Sequence, residues 1–245
     1  MQPSIFTVCG NRALTPGVFE LTLQGNASLI ARPGQFVNIS VPGFFLRRPI
    51  SVCDWTEGSL TLLVRTVGGG TAWLEKVRAE QTLDVLLPLG NGFDIAASPA
   101  NAPIVLAGGG IGVAPLYGLA RALRAAGRDC LVALGFRMAS DVFYADRFEA
   151  LGCDVAIATE DGSRGTRGFV TSLPLPDGAY VFACGPMPML RALAALPGLA
   201  GGQISLEARM GCGFGACMGC TIETQNGPAR ICHDGPVFEM GSAKL

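Results

Sequence analysis

Four cysteines near the end of the chain constrain it more than any other feature. Cys212-x4-Cys217-x2-Cys220, followed after eleven residues by Cys232, opens with the spacing of one type of [2Fe–2S] loop. Four thiolates neutralise and ligate two irons, and this segment supplies all four. Gly211, Gly213, Gly215 and Gly219 lie among them, so the backbone can turn tightly and aim N–H groups at sulfur. Zinc is the competing reading. It usually takes paired Cys-x2-Cys knuckles or mixed Cys/His sets, and only one such pair is present. A Rieske centre needs two histidines, whereas His233 is the only one in the chain. The pattern therefore favours iron–sulfur, with Cys212, Cys217, Cys220 and Cys232 as ligands and His233 at the surface or behind them.

The other cysteines, Cys9, Cys53, Cys130, Cys153 and Cys184, are scattered through apolar surroundings and read as free thiols. An odd total, a chain of 245 residues and the lack of a basic-then-apolar stretch over Met1–Gly10 argue against a secreted disulfide scaffold. A reducing, cytoplasmic setting is expected. A net charge of −1 leaves no electrostatic footprint for nucleic acid or an anionic membrane. Ala102–Ala120 carries no charge, but its Gly108-Gly109-Gly110 and Gly112, with Pro103 and Pro115, suit strand, loop and helix better than a membrane span.

Two patterns precede the cysteine loop. Up to about residue 95, short alternating or β-branched runs (Val18–Leu23, Phe36–Val41, Ser59–Val67, Gln81–Leu87) are separated by turn signals, as in a small β-barrel interrupted by a helix at Thr71–Arg78. From about residue 96, strands (104–107, 130–136, 154–159, 180–184) alternate with helices (114–126, 141–151, 188–196), and a last strand is expected at 204–208. That alternation predicts a doubly wound parallel sheet with ligands at the strand C-terminal ends. The expected divisions are 1–95, 96–205 and 206–245.

Gly108-Gly109-Gly110-Ile111-Gly112 follows a strand and opens a helix, where free N–H groups can receive a pyrophosphate. It departs from the usual G-x-G-x-x-G spacing, and a tight strand-to-helix turn would read the same way. Cys184-Gly185-Pro186 repeats the context at a second strand end, and the two elements together specify a nicotinamide nucleotide better than either alone. The Cys184 thiol is placed beside the nicotinamide ring, an inert buried cysteine being the competing reading. No basic cluster follows the second strand, although Arg137 lies there, so NAD is favoured over NADP. In the barrel, Arg48 suits a phosphate and Ser51 a flavin edge, while Gly70-Thr71 opens a helix whose first N–H groups are unpaired.

A barrel with Leu46-Arg47-Arg48-Pro49-Ile50-Ser51, then Gly-Gly-Gly-Ile-Gly, then Cys-Gly-Pro resembles the ferredoxin-reductase family of flavoproteins. With the C-terminal cysteine loop, Pro33-Gly34-Gln35-Phe36 and Pro88-Leu89-Gly90-Asn91-Gly92-Phe93, it resembles more narrowly the electron-transfer subunits of type B dihydroorotate dehydrogenase. The resemblance implies a six-stranded antiparallel FAD-binding barrel, a nicotinamide domain and a small [2Fe–2S] domain. It implies that Arg48, Pro49, Ile50, Ser51, Leu63, Val64, Arg65, Gly70 and Thr71 line FAD, and that Gly108, Gly109, Gly110, Gly112, Cys184, Gly185 and Pro186 receive NAD(H). Ser51 and Cys184 are then the residues nearest the reacting atoms. Pro49-Ile50 stands where the wider family often has an aromatic residue, so no stacking on flavin is expected from it. The implied partner is an FMN-containing catalytic subunit that oxidises dihydroorotate in pyrimidine biosynthesis, two of each chain forming a heterotetramer. Two rivals remain: a subunit of a sulfhydrogenase or ferredoxin-dependent transhydrogenase, and a zinc-stabilised interaction module without redox function.

Overall fold

A computed structural model of the chain describes residues 1–244. Its first part is a closed antiparallel barrel of β1 (Gln2–Thr15), β2 (Val18–Gln24), β3 (Phe36–Ile39), β4 (Arg48–Thr56), β5 (Ser59–Arg65) and β6 (Thr82–Leu89), in the order β1-β2-β5-β4-β3-β6. Alternation sets the inside: along β6, Leu83, Val85, Leu87 and Leu89 are buried while the residues between them are more open. Closure leaves no unpaired strand edge. The short helix α1 (Gly69–Leu74) plugs one end through Leu74, which is fully buried.

The second part is a seven-stranded sheet. It contains β7 (Ile104–Gly109), β8 (Leu131–Phe136), β9 (Asp154–Thr159), β10 (Thr166–Arg167), β11 (Tyr180–Cys184) and β12 (Gly201–Ser205). The strand order is β10-β9-β8-β7-β11-β12, and every pair among these is parallel. β7 at the centre is buried throughout, as a strand covered on both faces must be. Connecting helices α2 (Ala114–Ala125), α3 (Ala145–Ala150) and α4 (Met187–Ala194) complete the layers.

A hairpin of β13 (Thr221–Thr224) and β14 (Gly227–Arg230) follows the cysteine loop, and β15 (Val237–Glu239) then pairs antiparallel with β12. The chain after β12 thus returns through β15 to close the parallel sheet with an antiparallel edge strand. Asn91, at the barrel's exit, fixes that return: its Nδ2 donates to Val237 O at 2.8 Å and its Oδ1 accepts from Val237 N at 3.1 Å.

Several element bounds differ from the sequence reading. β1 and most of β4 were not expected, because β1 is long, polar and half exposed, and β4 carries a proline and a charge at its start. The expected helix at 141–151 is a 3-10 turn (139–141) and the shorter α3, separated by Tyr144 in a left-handed conformation (φ 68°). The last parallel strand runs 201–205 instead of 204–208; a Cβ at Gly202 would collide with the Val181 carbonyl, so the strand's glycine start is a requirement of close pairing.

Barrel and sheet meet through α2 and β4. A Cβ at Gly118 would stand 2.8 Å from Cys53 O and 3.0 Å from the Trp55 ring. Only glycine allows this approach. Arg121 locks it, bridging Asp54 at 2.8 Å and donating to Trp55 O at 2.8 Å.

Candidate functional site

The two glycine-bearing loops of the sheet form one floor. Gly108 and Cys184 are register partners at the C-terminal ends of the adjacent strands β7 and β11. A Cβ on Gly112 would collide with the Cys184 carbonyl and stand 2.6 Å from Gly185 N. On Gly109 it would stand 2.6 Å from Met189 Sδ and 2.9 Å from Pro186 Cδ, and Gly185 itself is held at φ 159°. The chain runs from β7 through a 3-10 turn at 110–113 into α2, with Pro115 in the first turn. Ala114 N–H is already bonded to Ile111 O and Pro115 has none, so the N–H groups left for a ligand are those that open the 3-10 turn, at Gly110–Gly112.

Arg65, at the end of β5, reaches this floor from the barrel. A Cβ at Gly110 (φ 54°) would lie 3.3 Å from its Nη2. Of the expected flavin-lining residues at 63–65, Arg65 reaches the expected nicotinamide loop in the cleft where barrel and sheet meet, whereas the Leu63 and Val64 side chains are buried in the cores. Arg48, at the start of β4, packs so closely on Gly70 that a Cβ there would overlap its guanidinium, and it stacks 4.5 Å from the Phe44 ring centroid. Thr71 shapes the adjoining loop: its Oγ1 accepts from Val67 N (2.9 Å) and Gly68 N (3.2 Å) and donates to Gly68 O (3.0 Å). Its hydroxyl is committed to that turn, which leaves the backbone N–H groups of Gly70 and Thr71 at the opening of α1. A cationic side chain beside free N–H groups is the chemistry a pyrophosphate needs. Ser51 is half-buried on β4, with Phe36 as its register partner on β3.

Cys184 is 1% exposed. Burial pushes its thiol well above the ordinary value, helped by the Glu207 charge and opposed by a hydrogen bond with Ser205. It is a neutral thiol set in the cleft floor, not a nucleophile. Glu207 is the one residue of this neighbourhood that the sequence reading missed. Glu207 is exposed as a residue, but neighbouring atoms strip solvent from its carboxyl and raise it, and the Arg65 charge lowers it. It follows β12 in a stretch without a motif, and only the fold brings it near Arg65 and Cys184.

The four loop cysteines fall into two pairs. Cys212 Sγ accepts from Phe214 N at 3.5 Å and from Cys217 N at 3.4 Å, while Cys212 N points at Cys217 Sγ at 3.5 Å. Burial pulls the Cys212 thiol up, but the N–H groups of Phe214, Cys217 and Ala216 and the Cys217 side chain outweigh it and bring it to about 6. Cys220 and Cys232 form the inner pair, with Cys232 N donating to Cys220 Sγ at 3.4 Å and both residues buried. Burial and the Cys220 neighbour push the Cys232 thiol up to about 12. Among the described residues no three His, Cys, Asp or Glu side chains converge on one metal-ion position. A two-by-two grouping suits two irons, each taking two thiolates, better than one tetrahedral zinc. Glycine is needed here too: a Cβ on Gly215 would press on the His233 side chain, 2.9 Å from its Cβ and 3.0–3.1 Å from its ring, and Gly213 (φ 81°) abuts Asn38.

The loop is tied to the barrel and braced from behind. Asn38, on β3 and 1% exposed, donates from Nδ2 to Cys212 O at 3.1 Å. Arg230 bonds Gly215 O at 3.1 Å and pairs with Asp234 at 3.1 Å. His233 is exposed and contacts Asp234 at 2.8 Å, so its ring is engaged with that carboxylate.

Residues 207–243 match the iron–sulfur cluster binding domain of dihydroorotate dehydrogenase B. The chain is 42% identical over 251 residues to the dihydroorotate dehydrogenase B (NAD(+)) electron transfer subunit of Geobacillus kaustophilus, covering 98% of this chain and 97% of the relative. It is 40% identical over 259 residues to the Bacillus cereus (strain Q1) subunit, covering all of both. Among solved structures, a chain of the NADH-dependent reduced ferredoxin-NADP oxidoreductase superposes with a TM-score of 0.87 at 28% identity, covering 98% of this chain and 89% of the other. Fold and site together define a ferredoxin-reductase-like electron-transfer protein with an iron–sulfur-binding domain. More narrowly, the chain belongs to the family of dihydroorotate dehydrogenase B electron transfer subunits.

Proposed function

We propose that this chain carries electrons between an FMN-containing dihydroorotate dehydrogenase subunit and NAD, within a cytoplasmic heterotetramer of two of each chain. The observation that carries the reading is the single cleft where Arg65 of the barrel faces Gly110, beside Cys184, with the paired cysteines anchored to the same barrel through Asn38. Bound FAD supplies the junction between hydride exchange with a nicotinamide and one-electron exchange with a [2Fe–2S] cluster.

The residues divide the work. Arg48 and the N–H groups of Gly70 and Thr71 would hold the flavin's pyrophosphate; Pro49, Ile50 and Leu63–Arg65 would line the flavin, Leu63 and Val64 through their backbone because their side chains are buried, and Ser51 would offer it a hydroxyl. Gly108–Gly112 and Gly185-Pro186 receive the dinucleotide, and Cys184 closes the floor under the nicotinamide with a neutral, polarizable sulfur. Cys212, Cys217, Cys220 and Cys232 would hold the [2Fe–2S] cluster for its one-electron chemistry. Residues 1–95, 96–205 and 206–245 are the corresponding modules, with β15 handed back to the second.

The transhydrogenase-like alternative shares this architecture, as the TM-score of 0.87 makes clear. Sequence separates the two, at 42% identity over the full chain against 28%. The test is reconstitution. The isolated chain should oxidise NADH with an artificial acceptor and leave dihydroorotate untouched, and addition of the catalytic subunit should couple dihydroorotate oxidation to NAD⁺ reduction. Orotate formation by the chain alone, or no coupling in the complex, overturns the assignment.

A further inference from the structure

Cys130 and Cys153 stand outside every part of the site described above, yet their sulfurs lie 3.6 Å apart. Each is the residue immediately before a strand, and those strands, β8 and β9, are parallel neighbours paired from Leu131 to Asp154 onward. One position upstream on both strands keeps the two side chains in register and on the same face. Neighbouring strands run about 4.8 Å apart, within the roughly 4.4–6.8 Å between Cα atoms that a disulfide spans. Each cysteine is only 6% exposed and shares a core with Leu123, Ala145 and Phe148. Adjacent strands therefore hold the sulfurs close without a covalent bond. Arg124 reaches over the same end of the strands: it pairs with Asp129, and a Cβ at Gly152 would sit 3.3 Å from its Nη2.

We propose that Cys130 and Cys153 form a dithiol modification site that a small peroxide converts to a cross-strand disulfide. In the balanced step, one sulfur, as thiolate, attacks a peroxide oxygen, the O–O bond breaks, and a sulfenic acid and one water form. The second thiol then displaces the sulfenic hydroxyl as a second water, forming the S–S bond. Overall two thiols are oxidised by two electrons and one hydrogen peroxide is reduced to two waters. The two sulfurs close from 3.6 Å to about 2.05 Å by side-chain rotation between fixed strands. Peroxide is the fitting oxidant because glutathione disulfide is too bulky for thiols so covered. The reaction is slow, since burial and the neighbouring sulfur push the Cys130 thiol up to about 12 and leave little thiolate. The product staples β8 to β9 at the sheet end opposite the nucleotide cleft, so it stiffens the domain without touching the cofactor loops.

The test treats the flavin- and cluster-loaded chain with graded hydrogen peroxide, blocks free thiols with iodoacetamide and digests without reduction. Trypsin separates Cys130 (residues 129–137) from Cys153 (residues 148–164). The expected result is these two peptides joined by a disulfide, both losing alkylation together, with a melting temperature several degrees higher in the wild type and unchanged in Cys153→Ser. Exposed Cys9 reports that oxidant was delivered. Oxidised Cys9 with Cys130 and Cys153 still separately alkylated overturns the proposal, as does either cysteine joined to any other partner.

Discussion

Replacing Gly112 by alanine tests whether the two nucleotide loops work as one floor. The added Cβ would overlap the Cys184 carbonyl and stand 2.6 Å from Gly185 N. Both obstacles are backbone at the end of β11, so no side chain can rotate away. Ordinary contact begins at 3.4 Å, so Gly185 N must move away by about a further 0.8 Å and the nearer Cys184 carbonyl by more; misplacements near 1 Å around a reacting group cost on the order of 100-fold. Overpacking of this kind also costs about 1–3 kcal/mol of stability. The expected loss in kcat/KM for NADH is roughly 10- to 100-fold, or about 1.4–2.7 kcal/mol of transition-state stabilisation. Anaerobic NADH oxidation with ferricyanide measures it, and the flavin and iron contents should stay at wild-type levels. Gly58→Ala, where a Cβ meets nothing within 4 Å, is the control and should be silent. Wild-type turnover in Gly112→Ala would refute the shared floor.

Arg48→Ala should weaken FAD retention by roughly 10- to 100-fold, the loss of about 1.5–3 kcal/mol expected for a hydrogen bond to a charged group, read from flavin fluorescence released on dilution. Cys220→Ser removes an inner ligand; iron content and long-wavelength absorbance should fall while NADH oxidation with ferricyanide survives, and coupling to the catalytic subunit should vanish. Glu207 carries a raised carboxyl, so its contribution to stability is present below its unfolded value of about 4.3 and lost as pH rises through the folded value. Glu207→Gln should therefore melt no lower than wild type at pH 7–8, with a small effect because the residue is exposed, and a clear loss of stability there would contradict the upward direction.

The cysteine spacing and the order of the three motif groups were legible because each depends on local chain geometry: ligand spacing in one loop, glycine at a strand-to-helix turn, an Arg-Pro-x-Ser run in the barrel. Strands with alternating burial, such as β2 and β6, were equally readable. β1 escaped because a long, half-exposed strand on a closed barrel shows little contrast between faces. Tyr144 broke the expected helix at 141–151 through a left-handed backbone that tyrosine rarely adopts, stabilised from the barrel side by its hydrogen bond to Glu20 at 2.7 Å. The same long-range logic hid Glu207, Asn38 and the Cys130–Cys153 pair. Each acquires meaning only from a partner brought close by the fold, and β15 likewise pairs with a strand more than thirty residues earlier in the chain.

The most direct test of the electron chain is an ultraviolet–visible spectrum of freshly purified protein before and after anaerobic addition of NADH. The account predicts flavin bands above a broad iron–sulfur absorbance, both bleached by NADH, with two irons and one FAD per chain. A colourless protein holding one zinc would contradict the paired-cysteine assignment, and a coloured protein whose bands ignore NADH would contradict the shared cleft.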